Sequence, residues 1–141
     1  MTTNKRGRLL PRRNRRAFVL LIIATVALGL ASRKFAVFLP GWMAKNAGDV
    51  LYAVMAYWLV GFCFPRLSPV RTAFAAGVFC FDIEFLKFSS VPWLVAARQS
   101  NWGALVFGRG FHLSNLVCYT LGVTLGAGIE AALRRSRQRR N

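Results

Sequence analysis

Apolar residues fall in four long blocks along this chain, separated by short polar or proline-bearing stretches. The first block covers about residues 17–34. Its core, Ala17 to Ala31, carries no charge. That core is slightly shorter than the roughly 20 residues needed to cross hydrocarbon. Its flanks must therefore contribute, and Arg33 and Lys34 can snorkel at the far end. The second block covers about 48–64 and ends at Pro65. The third covers about 70–89 and carries Asp82, Glu84 and Lys87. The fourth covers about 112–131 and runs into a basic terminus. Between the third and fourth, residues 90–111 are too polar for a full span but hold Trp93, Leu94, Val95, Trp102, Leu105, Val106 and Phe107. A short interfacial or re-entrant helix fits that mixture. The pattern predicts an all-α, polytopic membrane protein: a four-transmembrane-helix bundle with a short interfacial or re-entrant helix between helices three and four. A cleaved signal peptide is the rival reading of the first block, because basic residues precede it and small residues close it.

Composition sharpens this picture. The chain has 141 residues, 55% of them hydrophobic, yet 20 Lys and Arg stand against four Asp and Glu, for a formal net charge of +16. A soluble chain this basic would suggest nucleic-acid binding. Here charge and hydropathy are segregated, which argues against specific nucleic-acid recognition. Residues 1–16 are expected to form a disordered basic cytoplasmic tail, residues 17–131 the membrane domain, and residues 132–141 a second basic cytoplasmic tail, both tails lying against anionic lipid. With both termini inside, fourteen of the twenty basic residues fall on the cytoplasmic side and five on the other, with Lys87 inside the third span. That asymmetry favours a bacterial cytoplasmic (inner) membrane protein, multi-pass, with both termini cytoplasmic. Trp42, Trp93 and Trp102 then fall on the outer side, where an aromatic belt is expected. Cys63, Cys80 and Cys118 lie in apolar blocks at spacings that match no metal signature, and neither metal nor cofactor is expected.

Ionisable groups inside a bilayer are costly, about 2.5–3.5 kcal/mol each on insertion scales, and mark function by default. Glu84 and Lys87 lie one turn apart on one helical face and can pair, whereas Asp82 points to the opposite side. In the fourth span, His112, Asn115, Tyr119, Gly122 and Gly126 follow at steps of three and four and share about 80° of arc. Gly122 and Gly126 would let another helix approach closely. The alternating topology brings Asp49, Glu84, Lys87, His112 and Asn115 to the outer half of the membrane, with Trp93 and Arg98 above them. Two readings remain open at this point. The cluster either faces a ligand, or it is a structural ion pair with Asn115 joining helices. Asp49 can also pair with Lys45 at i,i+4, and His112 can serve as an interfacial hydrogen-bonding residue.

Several stretches resemble the bacterial domain-of-unknown-function 2809 family. They are Leu28 to Phe35, Leu39-Pro40, Ala44 to Asp49, Ile83-Glu84-Phe85, Pro92-Trp93-Leu94 with Arg98, Gly103 to Gly110-Phe111, and Tyr119 with Gly122 and Gly126. The resemblance covers about residues 17–131 and implies a small multi-pass membrane protein of a family without an established activity. The spacing of an intramembrane Glu, a later Arg and a polar residue ahead of glycines is also distantly similar to the VanZ-like family, which implies a cell-envelope role. Against the family pattern, Lys87 stands where a Gln is usual and Val95 where an Asp is usual. Asn115 replaces an Asp, and Asp82 is an acid where none is expected.

Three functions compete. In the first, the protein binds a lipid or cell-envelope ligand at the outer-leaflet polar site through Glu84, Lys87, Arg98, Asn115, Trp93 and Asp49, the cations holding phosphate. In the second, it is a membrane enzyme acting on a lipid-linked substrate, with Glu84 as base and His112 as acid or second base. No nucleophile motif or phosphate loop supports that reading. In the third, it is an oligomeric transporter built around Asp82. Membrane lipids are the expected partners, along with a second copy if it forms a homo-oligomer.

Overall fold

The computed structural model describes residues 13–107 and 112–139. Among them are six α-helices and no strand. The first helix, α1, spans Arg15–Lys34, and a 3-10 turn at Ala36–Phe38 follows it. Then come α2 (Gly41–Cys63), α3 (Pro69–Leu86), α4 (Pro92–Gln99), α5 (Asn101–Phe107) and α6 (Leu113–Gln138). The all-helical class expected from periodicity is present. Two helical stretches, Arg15–Lys34 and Leu113–Ser136, are long and apolar enough to cross a membrane by length and composition. The expected stretch before residue 13, the segment 108–111 with Arg109, and the last two residues lie outside the described residues.

Local chemistry sets the helix ends. Asn14 caps α1 by accepting from the Arg16 amide at 3.1 Å. Ser68 caps α3 by accepting from Arg71, and Pro69 occupies its first turn, where a missing N–H is harmless. The helix α2 stops at Cys63, two residues before Pro65, because the residue ahead of a proline is driven out of the α region. Its start differs from expectation. It begins at Gly41, directly after Pro40, rather than near residue 48. Lys45 and Asn46 break the apolar run without breaking the helix, since helical hydrogen bonds do not require apolar side chains. Likewise α6 continues past residue 131 to Gln138. The segment expected to hold one short helix holds two, α4 and α5, packed on each other. The Ser100 hydroxyl separates them, donating to the Ala97 carbonyl and accepting from the Gly103 amide. A Cβ on Gly103 would run into the Ala97 carbonyl, so this tight hairpin requires glycine.

The long helices form an up-down-up-down bundle with α2 at its centre, in contact with α1, α3 and α6, while α3 also packs on α6. The core is Phe18, Ala53, Val54, Ala56, Tyr57, Trp58, Ala76, Cys80, Tyr119 and Val123. Trp58 meets Phe18 and Tyr57 edge-on, with ring centroids 5.5 and 5.1 Å apart. The glycine seam of α6 is where α2 comes closest. A Cβ at Gly122 would strike the Val50 carbonyl and lie 2.7 Å from the Ala53 Cβ, and one at Gly126 would lie 2.9 Å from the Tyr57 ring.

Outside this core the usual distribution is inverted. More large hydrophobic residues are exposed than buried among the described residues, whereas Arg13, Thr25, Thr72, Glu84, Asn115 and Glu130 are buried. Leu113, Val117, Leu121, Leu125, Ile129 and Leu133 recur every fourth residue along the exposed side of α6.

The seam yields a direct check. Gly122→Ala should destabilise the bundle by about 1–3 kcal/mol, because the methyl group enters an already filled contact. Gly128→Ala, where nothing lies within 4 Å, should be neutral or slightly stabilising. Thermal unfolding midpoints in detergent would separate the two.

Candidate functional site

Two buried carboxylates stand at opposite ends of the bundle, each held by a tyrosine and a cation. At one end is Glu84, in the last turn of α3 and 0% exposed. Its Oε1 accepts from the His112 backbone N–H at 3.0 Å and from Asn115 Nδ2 at 3.3 Å. Its Oε2 accepts from the Tyr119 hydroxyl at 2.9 Å and from Lys87 Nζ. The first helical turns explain this placement. A carboxylate just ahead of α6 satisfies an amide left open by the helix start and complements its dipole, and Lys87 closes the C-terminal end of α3, where a cation is favoured. The Lys87 side chain is itself 3% exposed.

Of the residues singled out from sequence, Glu84, Lys87 and Asn115 are therefore brought into one hydrogen-bonded unit. His112 joins it through its backbone, and its side chain is exposed. Asp49 is half-buried, within electrostatic reach of Lys87, Glu84, Arg33 and His112, and forms no ion pair with Lys45. Arg33 lies over Gly48, one residue before Asp49. Arg98 is placed differently from expectation. Its guanidinium donates to the carbonyls of Lys87 at 2.8 Å, Ser89 at 2.5 Å and Leu94 at 3.3 Å, so it ties α4 to the end of α3 and does not reach Glu84. Trp93 is 68% exposed on α4. Asp82 is exposed on the far face of α3. Tyr119 was legible only as a member of the α6 seam. Its spacing of four from Asn115 was the available signal that it points at the same acceptor.

At the opposite end Glu130 of α6 is 4% exposed. Arg13 donates to both of its oxygens at 2.7 Å, Arg134 to Oε1 at 2.7 and 3.0 Å, and the Tyr57 hydroxyl to Oε2 at 2.5 Å. The same Arg13 donates to Thr72 Oγ1 at 2.8 Å. One side chain from the segment ahead of α1 thus joins α3 and α6, and Tyr57 brings α2 to the same carboxylate. Glu130 and Arg134 stand four apart on α6, as an i,i+4 pair requires, whereas nothing local links Arg13 to a partner 117 positions away.

Both sites are closed. No buried side-chain nitrogen or oxygen among the described residues lacks a hydrogen-bond partner. Saturated carboxylates of this kind fix helix positions. Around the Glu84 unit, Asp49, Arg33 and the His112 imidazole have spare capacity, their side chains forming no hydrogen bond among the described residues.

Fold and site together define a small all-helical bundle pinned at both ends by buried carboxylates. The family model for proteins of unknown function DUF2809 matches residues 38–123, more than half of the chain. The chain belongs to this DUF2809 family. The matched region contains Asp49, Glu84, Lys87, Asn115 and Tyr119, while Arg13 and Glu130 fall outside it. No solved structure matches the chain.

Burial of a charge without its partner gives two expectations. Glu84→Gln strands the Lys87 ammonium and should cost about 3 kcal/mol or more, whereas Glu84→Gln with Lys87→Met should recover most of that loss. Tyr57→Phe, which removes one bond to a charged acceptor, should cost about 1.5–3 kcal/mol. Urea or thermal unfolding of the single and double variants in the same detergent measures both.

Proposed function

We propose that this chain is a four-span integral membrane protein of the bacterial cytoplasmic membrane, with both termini cytoplasmic, that binds the head group of a lipid or cell-envelope ligand at the Glu84 end. In this reading α1, α2, α3 and α6 are the spans, and the α4–α5 hairpin lies in the outer interface. The inversion of polarity supports the membrane placement. A water-soluble bundle would not expose the α6 leucine stripe while burying Glu84 and Glu130. The orientation rests on charge: Arg15, Arg16, Arg66, Arg71, Arg134, Arg135 and Arg139 stand at the Glu130 end, as cytoplasmic flanks require.

One observation carries the binding reading. Asp49, Arg33 and His112 gather at the rim of the Glu84 unit without being used up by it. The Glu84–Lys87–Asn115–Tyr119 unit then acts as a rigid floor, and Arg98 holds the α4–α5 cover in place. Arg33 and His112 supply donors for phosphate, Asp49 accepts from an ammonium or hydroxyl group, and Trp93 and Trp102 seat the cover among head groups. The enzyme reading is weaker, because Glu84 would have to serve as a base while both its oxygens already accept hydrogen bonds.

Protein purified in native lipid nanodiscs should retain one head-group class above its membrane abundance. Arg33→Ala and Asp49→Asn should each reduce that enrichment about tenfold with the fold intact, the loss expected of about 1.4 kcal/mol. Mass spectrometry of co-purified lipid reads the result. A lipid profile identical to bulk membrane in wild type and variants would remove the binding reading. Reporter fusions that place either terminus outside would remove the topology.

A further inference from the structure

Asp82 belongs to neither carboxylate unit and, unlike Asp49, lies away from the rim of the Glu84 unit. It is exposed on α3, makes no hydrogen bond or ion pair, and is surrounded on that face by exposed Val78, Phe79, Phe85 and Leu86. The helix α3 has 18 residues, about 27 Å, no longer than the roughly 30 Å of hydrocarbon it crosses in the four-span reading. Asp82 lies four residues before its end, about 6 Å inside that layer. Helical side chains lean toward the helix N-terminus, which for α3 is away from the nearer boundary. A short aspartate there is poorly placed to snorkel outward, and no cation among the described residues pairs with it.

A second copy can supply one. The helix α1 runs in the same direction as α3, since the segment before it meets Thr72 near the start of α3. Its last turn carries Arg33 and Lys34. Arg33 is turned over Gly48, whereas Lys34 is exposed and makes no hydrogen bond or ion pair. The Lys34 Cα–Cβ bond leans back toward the N-terminus of α1, and its long flexible stem can carry the ammonium to the depth of Asp82 once an acid is there to pair with it. The exposed sides of α1 and α3 are both apolar, with Leu20, Ile23, Leu28 and Leu30 on the former. We propose that the Asp82 face of α3 is a self-association surface, on which a second copy of this chain lays the end of its α1 and pairs its Lys34 with Asp82. A two-fold arrangement makes the contact reciprocal, so that both acids are paired in a closed dimer. The proposal rests on the four-span reading but not on the ligand site, whose residues it leaves untouched.

Single-molecule photobleaching of fluorescently tagged protein in liposomes tests it. Wild type should bleach in two steps over a range of protein-to-lipid ratios. Asp82→Leu and Lys34→Asp should each lower the two-step fraction several-fold. Asp82→Lys combined with Lys34→Asp should restore it, which a misfolded chain could not do. Circular dichroism and a monodisperse detergent profile confirm the fold of each variant. Single-step bleaching of wild type, wild-type stoichiometry in Asp82→Leu, or a double swap that stays monomeric would overturn the proposal. Because membrane insertion is read separately by the terminal reporters, a monomer that spans the membrane correctly would reject the dimer and leave the topology standing.

Discussion

The carboxylate of Glu84 constrains how α6 can sit against α3. Burying an ionised side chain is tolerable only when every lone pair finds a donor, and the four donors around Glu84 come from the end of its own helix and the first two turns of α6. Satisfying them fixes the axial register of α3 against α6. With that register set, Gly122 and Gly126 face Val50, Ala53 and Tyr57 of α2, and the core closes around Tyr57 and Trp58. In surroundings where apolar contacts between helices gain little over contacts with lipid, close approach at glycines and saturated polar bonds are the available sources of specificity.

The Glu130 unit repeats the same solution with different parts. Tyrosine, carboxylate and cation recur, but here the cation comes from the segment ahead of α1. That helix packs chiefly on α2 and buries only Phe18 and Thr25 along its length. Arg13 compensates by reaching Glu130 and Thr72 together. The two carboxylates therefore divide the labour: one registers α3 against α6, and the other ties the segment ahead of α1 to α3 and α6.

How much of this could be read from the chain follows from sequence separation. Glu84 and Lys87 were legible as a pair because they are one helical turn apart. The α6 seam was legible because steps of three and four place residues on one face. The all-helical class and the Pro65 boundary came from equally local rules. Arg13 with Glu130 was not legible, since no periodicity connects positions at opposite ends of a chain, and Arg13 sits among other arginines that look alike. Arg98 was legible as important but not as a carbonyl-binding tie, because a guanidinium suits phosphate and backbone oxygen equally well. The early start of α2 was hidden by reading hydropathy where only the backbone decides.

The span of 117 positions between Arg13 and Glu130 also bears on biosynthesis. Synthesis runs from N- to C-terminus, so α1 can pack on α2 well before Glu130 exists. Arg13 gains its carboxylate partner only after most of α6 has been translated. A product cut short before Glu130 leaves Arg13 without its carboxylate, while Phe18 of α1 can still pack on Trp58 of α2.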